Sequence, residues 1–114
     1  FINMKDVSDA TWKIMQNGKD GDTYHISTKE VISIRALVER ICEKLEVNFE
    51  DHVEFVGERV GKDSAYHLDS TKLRTELDWL DRINLDQGLD ECISWVQSNF
   101  DVLKNQPFDY QHKP

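Results

Sequence analysis

The sequence predicts one mixed α/β domain of the α+β kind, with about four helices and short strands. Apolar residues recur at three- and four-residue spacing in several stretches, which is typical of amphipathic helices. Short runs rich in β-branched and aromatic residues lie between them and indicate strands. The 114 residues are 39% hydrophobic and 32% charged, with two prolines and five glycines, an ordinary globular composition.

The first half of the chain is predicted to alternate strands and helices. Residues 1–4 are predicted to form a strand, after which Asp6 can cap a helix over residues 7–17. Residues 23–27 are predicted to form a second short strand. Ser33 is a suitable cap for the most regular helix, whose apolar stripe comprises Ile34, Leu37, Val38, Ile41, Cys42 and Leu45.

The second half is predicted to be mainly helical. Residues 53–56 are predicted to form a third strand, and an irregular loop follows. Asp69 or Ser70 begins a short helix through Leu77. A long amphipathic helix comes last, and its apolar positions are Leu85, Leu89, Cys92, Ile93, Val96, Phe100 and Leu103. No repeat or linker divides the chain, so residues 1–114 are interpreted as one domain.

Composition and charge argue against two classes of partner. Lys and Arg number 14 and Asp and Glu 22, and 14 − 22 gives a net charge of −8. The basic residues are dispersed, whereas nucleic-acid binding needs a basic patch, so no nucleic-acid partner is expected. No apolar stretch is long enough for a membrane span and no signal peptide is visible, so no membrane partner and a cytoplasmic location are expected.

Two cysteines, Cys42 and Cys92, and two tryptophans, Trp79 and Trp95, are expected to pack inside the protein. Cys42 and Cys92 fall at apolar helical positions, which favours two buried thiols in a reducing compartment over a disulfide. Trp79 and Trp95 are interpreted as core residues rather than as stacking platforms.

Sequence patterns for a complete active site are missing. No glycine-rich dinucleotide turn or phosphate loop occurs, and no cysteine or histidine pair has metal-ligand spacing. None of the three tyrosines has a lysine four positions on, an arrangement that would suit hydride chemistry because the lysine lowers the phenol pKa. No catalytic, cofactor-binding or metal-binding residue is therefore predicted in this chain.

One loop after the third predicted strand suggests ligand binding. Arg59 stands near Gly61, and an arginine beside a glycine can bring its planar guanidinium to a phosphate. Taken alone, a surface arginine paired with Glu58 or Asp63 is the simpler interpretation.

Six segments that together span the sequence are, in chain order, Phe1-Ile2-x-Met4-x-Asp6-Val7, Gly21-Asp22-Thr23-Tyr24-His25-Ile26, Glu58-Arg59-x-Gly61-x-Asp63-x-x-Tyr66-x-x-Asp69, Ser70-Thr71-Lys72-Leu73-Arg74-x-Glu76-Leu77-x-Trp79, Leu85-x-x-Gly88-Leu89 with Trp95, and the tail from Tyr110. These segments resemble motifs in the carboxy-terminal portion of extended short-chain dehydrogenase/reductase enzymes that act on nucleotide sugars, in particular the dTDP-glucose 4,6-dehydratases. The fourth of these segments is similar to the family pattern Ser-x-Lys-Leu-x-x-Glu-Leu-Gly-Trp.

The resemblance implies a small substrate-binding domain for a nucleotide-diphosphate sugar. Arg59 would contact the diphosphate or ribose, and Lys62, where dehydratases usually carry histidine, would meet a phosphate. His25 takes the place of a family asparagine at the base or ribose, and Tyr66 would orient the loop through its hydroxyl. The family's Rossmann domain is absent here, so NAD would be bound by a missing amino-terminal domain and this segment alone would be inactive.

The implied reaction is a 4,6-dehydration, in which the sugar is oxidised at C4, loses water across C5 and C6, and regains the hydride. Two alternatives stay open: a nucleotide-sugar 4-epimerase or decarboxylase of the same superfamily, and a stand-alone binding or interaction module without catalysis. The full-length enzyme is expected to be a homodimer. Because the chain opens in a predicted strand, a preceding part is expected to have been removed. Apolar surface should then be exposed near residues 1–4, and the fragment should self-associate.

Overall fold

The computed structural model describes residues 1–57, 61, 63 and 65–107. Six helices occur in this described part: α1 Met4–Asn17, α2 Ile34–Lys44, α3 Phe49–His52, α4 Thr71–Glu76, α5 Leu85–Ser98 and α6 Phe100–Leu103. No strand occurs among these residues, so the predicted α/β (mixed α+β) class with short strands is wrong for them.

The predicted strands fail because a strand exists only when a second strand pairs with its backbone. Within the described ranges, no backbone hydrogen bond joins residues 1–4, 23–27 or 53–56 to one another. Within residues 1–4, Asn3 is instead the N-cap of α1 and Met4 is its first residue. The residue types of each segment favour a strand, but no other described segment pairs with its backbone.

Helix α1 begins earlier than predicted and has a different cap. The Asn3 side chain accepts a hydrogen bond from the Lys5 amide at 2.9 Å, so Asn3 is the N-cap. Asp6 is instead only 4% exposed. Its two carboxylate oxygens accept hydrogen bonds from the backbone amides of Arg82, at 3.1 Å, and Ile83, at 3.0 Å. Asp6 therefore ties α1 to the segment that precedes α5.

The predictions for α2 and α5 are confirmed in their essentials. The Ser33 hydroxyl accepts from the Ala36 amide at 3.1 Å and caps α2 as expected. At the start of α5, Asn84 and Gln87 form a reciprocal capping box. The long helix predicted here is interrupted at Asn99, and α6 follows.

The core lies between α1, α4 and the segment after α4. Ala10, Leu73 and Trp79 are fully buried, and partly buried apolar side chains pack around them, namely Ile2, Ile14, Tyr24, Ile26 and Leu77. The prediction that Trp79 is a core residue is confirmed. The guanidinium carbon of Arg74 lies 4.9 Å from the centroid of its ring system, within cation–π range.

The chain turns into Trp79 through an unusual backbone conformation at Asp78. Its φ angle is 47°, in the left-handed region that favours glycine. The Lys13 ammonium group donates a hydrogen bond to the Asp78 carbonyl oxygen at 2.8 Å, so α1 supports this turn.

Two of the expected buried side chains are exposed. Trp95 is 58% exposed, so its interpretation as a core residue is wrong. Cys42 is buried and Cys92 is exposed, and both are free thiols, as the preference against a disulfide required. The expectation of burial is therefore confirmed for Cys42 and wrong for Cys92.

Candidate functional site

The four predicted substrate-binding residues fall into two groups. Arg59 and Lys62 lie outside the described residues, and their roles stay predictions. His25 and Tyr66 are described, and both side chains are exposed, Tyr66 to 84%. Neither is used in the core, so both are free to meet a ligand.

Side-chain hydrogen bonds join the segment that contains His25 to the segment that contains Tyr66. The Ser27 hydroxyl donates to the Leu68 carbonyl oxygen at 2.7 Å. In return, the Ser27 carbonyl oxygen accepts from the Ser70 hydroxyl at 3.0 Å and from Arg74 Nη2 at 2.9 Å. We call these three hydrogen bonds the Ser27 clasp.

Arg74 is the buried anchor of the clasp. Its side chain is 10% exposed, and Nη2 also donates to Asp81 at 2.6 Å in an ion pair. Its Nε donates to the Ser70 hydroxyl at 2.9 Å. Because Nε and Nη2 both donate hydrogen bonds and the guanidinium carbon lies over Trp79, the arginine is held in place, and it in turn holds the Ser27 carbonyl.

The ionisable groups beside the clasp are perturbed by local hydrogen bonds. Hydrogen bonds from the side chain and the backbone amide of Thr71 lower the pKa of Asp69, and nearby His25 lowers it further. A hydrogen bond to the Asp63 carboxylate raises the pKa of the Tyr66 phenol, because the neutral hydroxyl is the donor. Tyr66 therefore stays protonated near neutral pH.

The segment before His25 is anchored on α4. The Lys72 ammonium nitrogen lies 4.6 Å from the centroid of the Tyr24 ring and forms an ion pair with Asp22 at 3.0 Å. The hydrogen bond to Asp22 raises the pKa of Lys72. The Tyr24 hydroxyl donates to Glu76 at 3.1 Å. His25 is thus placed from both sides, by Tyr24 and by Ser27.

An apolar groove lies on another part of the described surface, with a volume of about 750 Å³. Its walls come from the chain start, α2 and α5, and include Phe1, Met4, Leu37, Leu89, Trp95 and Val96. Phe1 and Met4 are 58% and 70% exposed, so the expectation of exposed apolar surface near residues 1–4 is confirmed. An ion pair of Lys5 with Glu91 at 2.9 Å borders the groove.

Groups of three or more His, Cys, Asp or Glu side chains that could hold a metal ion do not occur in the ranges that the structure covers. Gly18 follows α1 and Gly88 lies inside α5, so neither of these glycines opens a helix. No described helix is both long enough and apolar enough to cross a membrane.

Comparison with known families places the chain in a family that is named for nucleotide-sugar dehydratases. The family model described as GDP-mannose 4,6 dehydratase matches residues 1–92, which is most of the chain. This chain belongs to that family. The resemblance to the extended short-chain dehydrogenase/reductase enzymes is thereby confirmed.

Individual relatives agree with the family match. A probable dTDP-glucose 4,6-dehydratase of Sinorhizobium fredii is 31% identical over 105 residues, which cover 87% of this chain and 30% of the relative. The dTDP-glucose 4,6-dehydratase of Haemophilus influenzae is 30% identical, over 87% of this chain and 32% of the relative. A trifunctional UDP-glucose 4,6-dehydratase, 3,5-epimerase and reductase of Arabidopsis thaliana is 28% identical, over 87% of this chain and 15% of the relative.

The chain spans about a third or less of the length of these relatives. Sequence reasoning found the site segments through the family motifs but missed the Ser27 clasp. Both acceptors in the clasp are backbone carbonyl groups, which every residue carries. The residues that each hydrogen bond joins lie more than 40 positions apart in the sequence. No local signal in the sequence could have revealed them.

Proposed function

We propose that this chain is the substrate-binding part of an NAD-dependent nucleotide-sugar 4,6-dehydratase, similar to the dTDP-glucose 4,6-dehydratases, and that it is inactive on its own. The similarity to those dehydratases over 87% of the chain is the observation that carries the proposal. In the longer enzyme, NAD bound by another domain oxidises the sugar at C4, water is lost across C5 and C6, and the hydride returns. The cytoplasm is the proposed location.

In this proposal, Arg59 binds the diphosphate or ribose and Lys62 a phosphate, while His25 and Tyr66 contact the nucleotide side of the ligand. The exposure of His25 and Tyr66, on segments joined by the Ser27 clasp, supports a shared role for these two side chains. A hydrogen bond to Asp63 raises the pKa of the Tyr66 phenol, so the hydroxyl can donate a hydrogen bond to a ligand at neutral pH.

Binding to the isolated chain tests the proposal directly. We expect titration calorimetry to detect dTDP-glucose, UDP-glucose or GDP-mannose, and to detect no binding of free glucose. Arg59→Ala removes a charge-assisted contact of about 1.5–3 kcal/mol and should weaken binding at least about tenfold. Lys104→Ala is the matched control, because Lys104 pairs locally with Asp101 at the end of α6. If the unaltered chain binds none of the three nucleotide sugars, the proposal is wrong.

Product analysis separates the enzymatic alternatives. The longer enzyme should convert its nucleotide sugar to the 4-keto-6-deoxy product, whereas an epimer or a decarboxylated sugar would place it with the rival reactions. The isolated chain incubated with NAD and dTDP-glucose should give no 4-keto product, and turnover by this chain would contradict its proposed inactivity. A stand-alone binding module would instead bind the sugar nucleotide without being part of a longer enzyme.

The apolar groove supports a proposed self-association of this chain, with a second copy as the occupant; the longer enzyme is proposed to be a homodimer. Large side chains such as Phe1, Met4 and Trp95 give the groove an apolar surface of the kind that marks interaction sites. Sedimentation velocity at rising concentration should show dimers. Trp95→Ser should abolish them, while Trp12→Ser, at a residue 56% exposed that does not line the groove, should not. A chain that stays monomeric throughout would contradict the proposal.

A further inference from the structure

Ser27 occupies the junction between the two segments that present His25 and Tyr66. Its hydroxyl donates to the Leu68 carbonyl oxygen, and its own carbonyl oxygen accepts from Ser70 and Arg74. It lies two positions after His25, and Leu68 lies two positions after Tyr66. One residue therefore joins the two segments, and in each segment the joining point lies two positions after the exposed side chain.

The clasp is not backed up by backbone pairing. Within the described ranges, no backbone–backbone hydrogen bond joins residues 23–28 to residues 65–70. Ordinary neighbouring segments of a sheet would be fixed by a ladder of such bonds, which no single side chain could release. Here the position of the 66–68 segment relative to His25 depends on side-chain hydrogen bonds.

The three bonds of the clasp have unequal surroundings. Ser70 is 5% exposed and the Arg74 side chain 10%, and Arg74 is also held by Asp81 and the Trp79 ring. These contacts belong to the core and keep the Ser27 carbonyl in place. The Ser27 hydroxyl, by contrast, makes a single bond that reaches out to Leu68, which is itself exposed. Removing the hydroxyl frees the 66–68 segment and leaves the core contacts intact.

We infer that Ser27 is a positioning residue for the nucleotide-sugar site, because its hydroxyl fixes the Tyr66 segment against the His25 segment. The inference rests on the proposed function for the identity of the ligand. It adds a residue that contacts no ligand itself and acts by keeping two ligand-facing side chains in register. Pre-organisation of this kind raises affinity because less ordering is left to be done on binding.

The test compares three variants of the chain. Ser27→Ala removes the hydroxyl, and Ser27→Thr keeps it. Ser98→Ala is the matched control, since the Ser98 hydroxyl also donates to a backbone carbonyl oxygen, that of Ser94, at 2.8 Å in α5. Two quantities are measured: the backbone amide order parameters of residues 65–69 in the free chain, from nitrogen-15 relaxation, and the dissociation constant for the nucleotide sugar that binds the unaltered chain best.

We expect Ser27→Ala to lower the order parameters of residues 65–69 alone, to below about 0.6, and to weaken nucleotide-sugar binding about three- to tenfold. The loss of one neutral hydrogen bond, about 1 kcal/mol, corresponds to a factor of about five. The thermal midpoint should change by no more than a few degrees. Ser27→Thr should restore both measured quantities, and Ser98→Ala should leave both unchanged.

The outcomes distinguish this inference from the proposed function. If the unaltered chain binds a nucleotide sugar and Ser27→Ala binds it equally well, the inference is wrong and the proposed function stands. If Ser27→Ala lowers the order parameters throughout the chain, the residue is merely structural and the inference is also wrong. If the unaltered chain binds no nucleotide sugar, the proposed function fails, and the ligand role of Ser27 fails with it. Unchanged order parameters at residues 65–69 would overturn the clasp itself.

Discussion

Replacing Asp6 by alanine should destabilise the chain more than any other single change to an acidic residue of α1. The Asp6 carboxylate is nearly buried and accepts from the backbone amides of Arg82 and Ile83. Alanine would leave both amides without their acceptor. It would also release the segment before α5 from α1, because these two bonds join positions 76 and 77 residues apart.

The magnitude follows from the two hydrogen bonds. Each bond to a charged acceptor contributes about 1.5–3 kcal/mol, and water can reach the exposed Arg82 and repay part of the loss. We expect Asp6→Ala to lower the free energy of unfolding by about 3 kcal/mol, against a total of about 5–15 kcal/mol for a domain of this size. With a urea slope of about 1.5 kcal/mol per molar, the midpoint should fall by about 2 M.

Urea unfolding followed by far-ultraviolet circular dichroism gives the midpoint. Asp9→Ala is the control, since Asp9 lies on the same helix and accepts no hydrogen bond among the described residues. Asp6→Asn, which keeps one acceptor oxygen, should fall between Asp6→Ala and the unaltered chain. Equal midpoints for Asp6→Ala and Asp9→Ala would refute the role assigned to the carboxylate.

Three further outcomes are expected. Trp79→Ala should cost about 3–5 kcal/mol of unfolding free energy in urea titrations, because the fully buried ring leaves a cavity; a loss below 1 kcal/mol would contradict its place in the core. Asp69 has a lowered pKa in the folded chain, so its stabilising contribution is present above its ordinary pKa of about 4 and is lost as the pH falls below that value. Thr71→Val should raise the pKa of Asp69, measured by a carbon-13 titration. An unchanged pKa would remove Thr71 as the cause. A thiol reagent should label Cys92 quickly and Cys42 only on unfolding, and equal rates would contradict their different burial.

The sequence allowed the helices to be predicted because their signals are local. The cap at Ser33 and the apolar stripe after it are contained within a dozen residues, and α2 forms as expected. Strands depend on a partner elsewhere in the chain, so β-type residue patterns at 23–27 and 53–56 were not sufficient. Their β-propensity allows these segments to form strands, but they form none because no second strand in the described part of the chain pairs with their backbone.

The same distinction holds for the site. His25 and Tyr66 were predicted through family motifs, and both side chains are exposed, while their contact with a ligand stays a prediction. The prediction for Asp6 was wrong because an aspartate near a helix start is normally a cap. Its carboxylate instead accepts hydrogen bonds from the backbone amides of Arg82 and Ile83, which lie far away in the sequence. The exposure of Trp95 could not be predicted either, since a helical apolar stripe does not reveal what lies opposite it.

The left-handed backbone at Asp78 restricts how this position can change over evolutionary time. Most side chains are strained at a φ of 47°, and β-branched ones most of all, whatever space surrounds them. Glycine, asparagine and aspartate are the residues that tolerate it, and related enzymes with glycine before the tryptophan fall within that set. Sequence drift here is therefore governed by a torsion angle, and a saturation library selected for folding should retain those three residues and lose valine, isoleucine and threonine first.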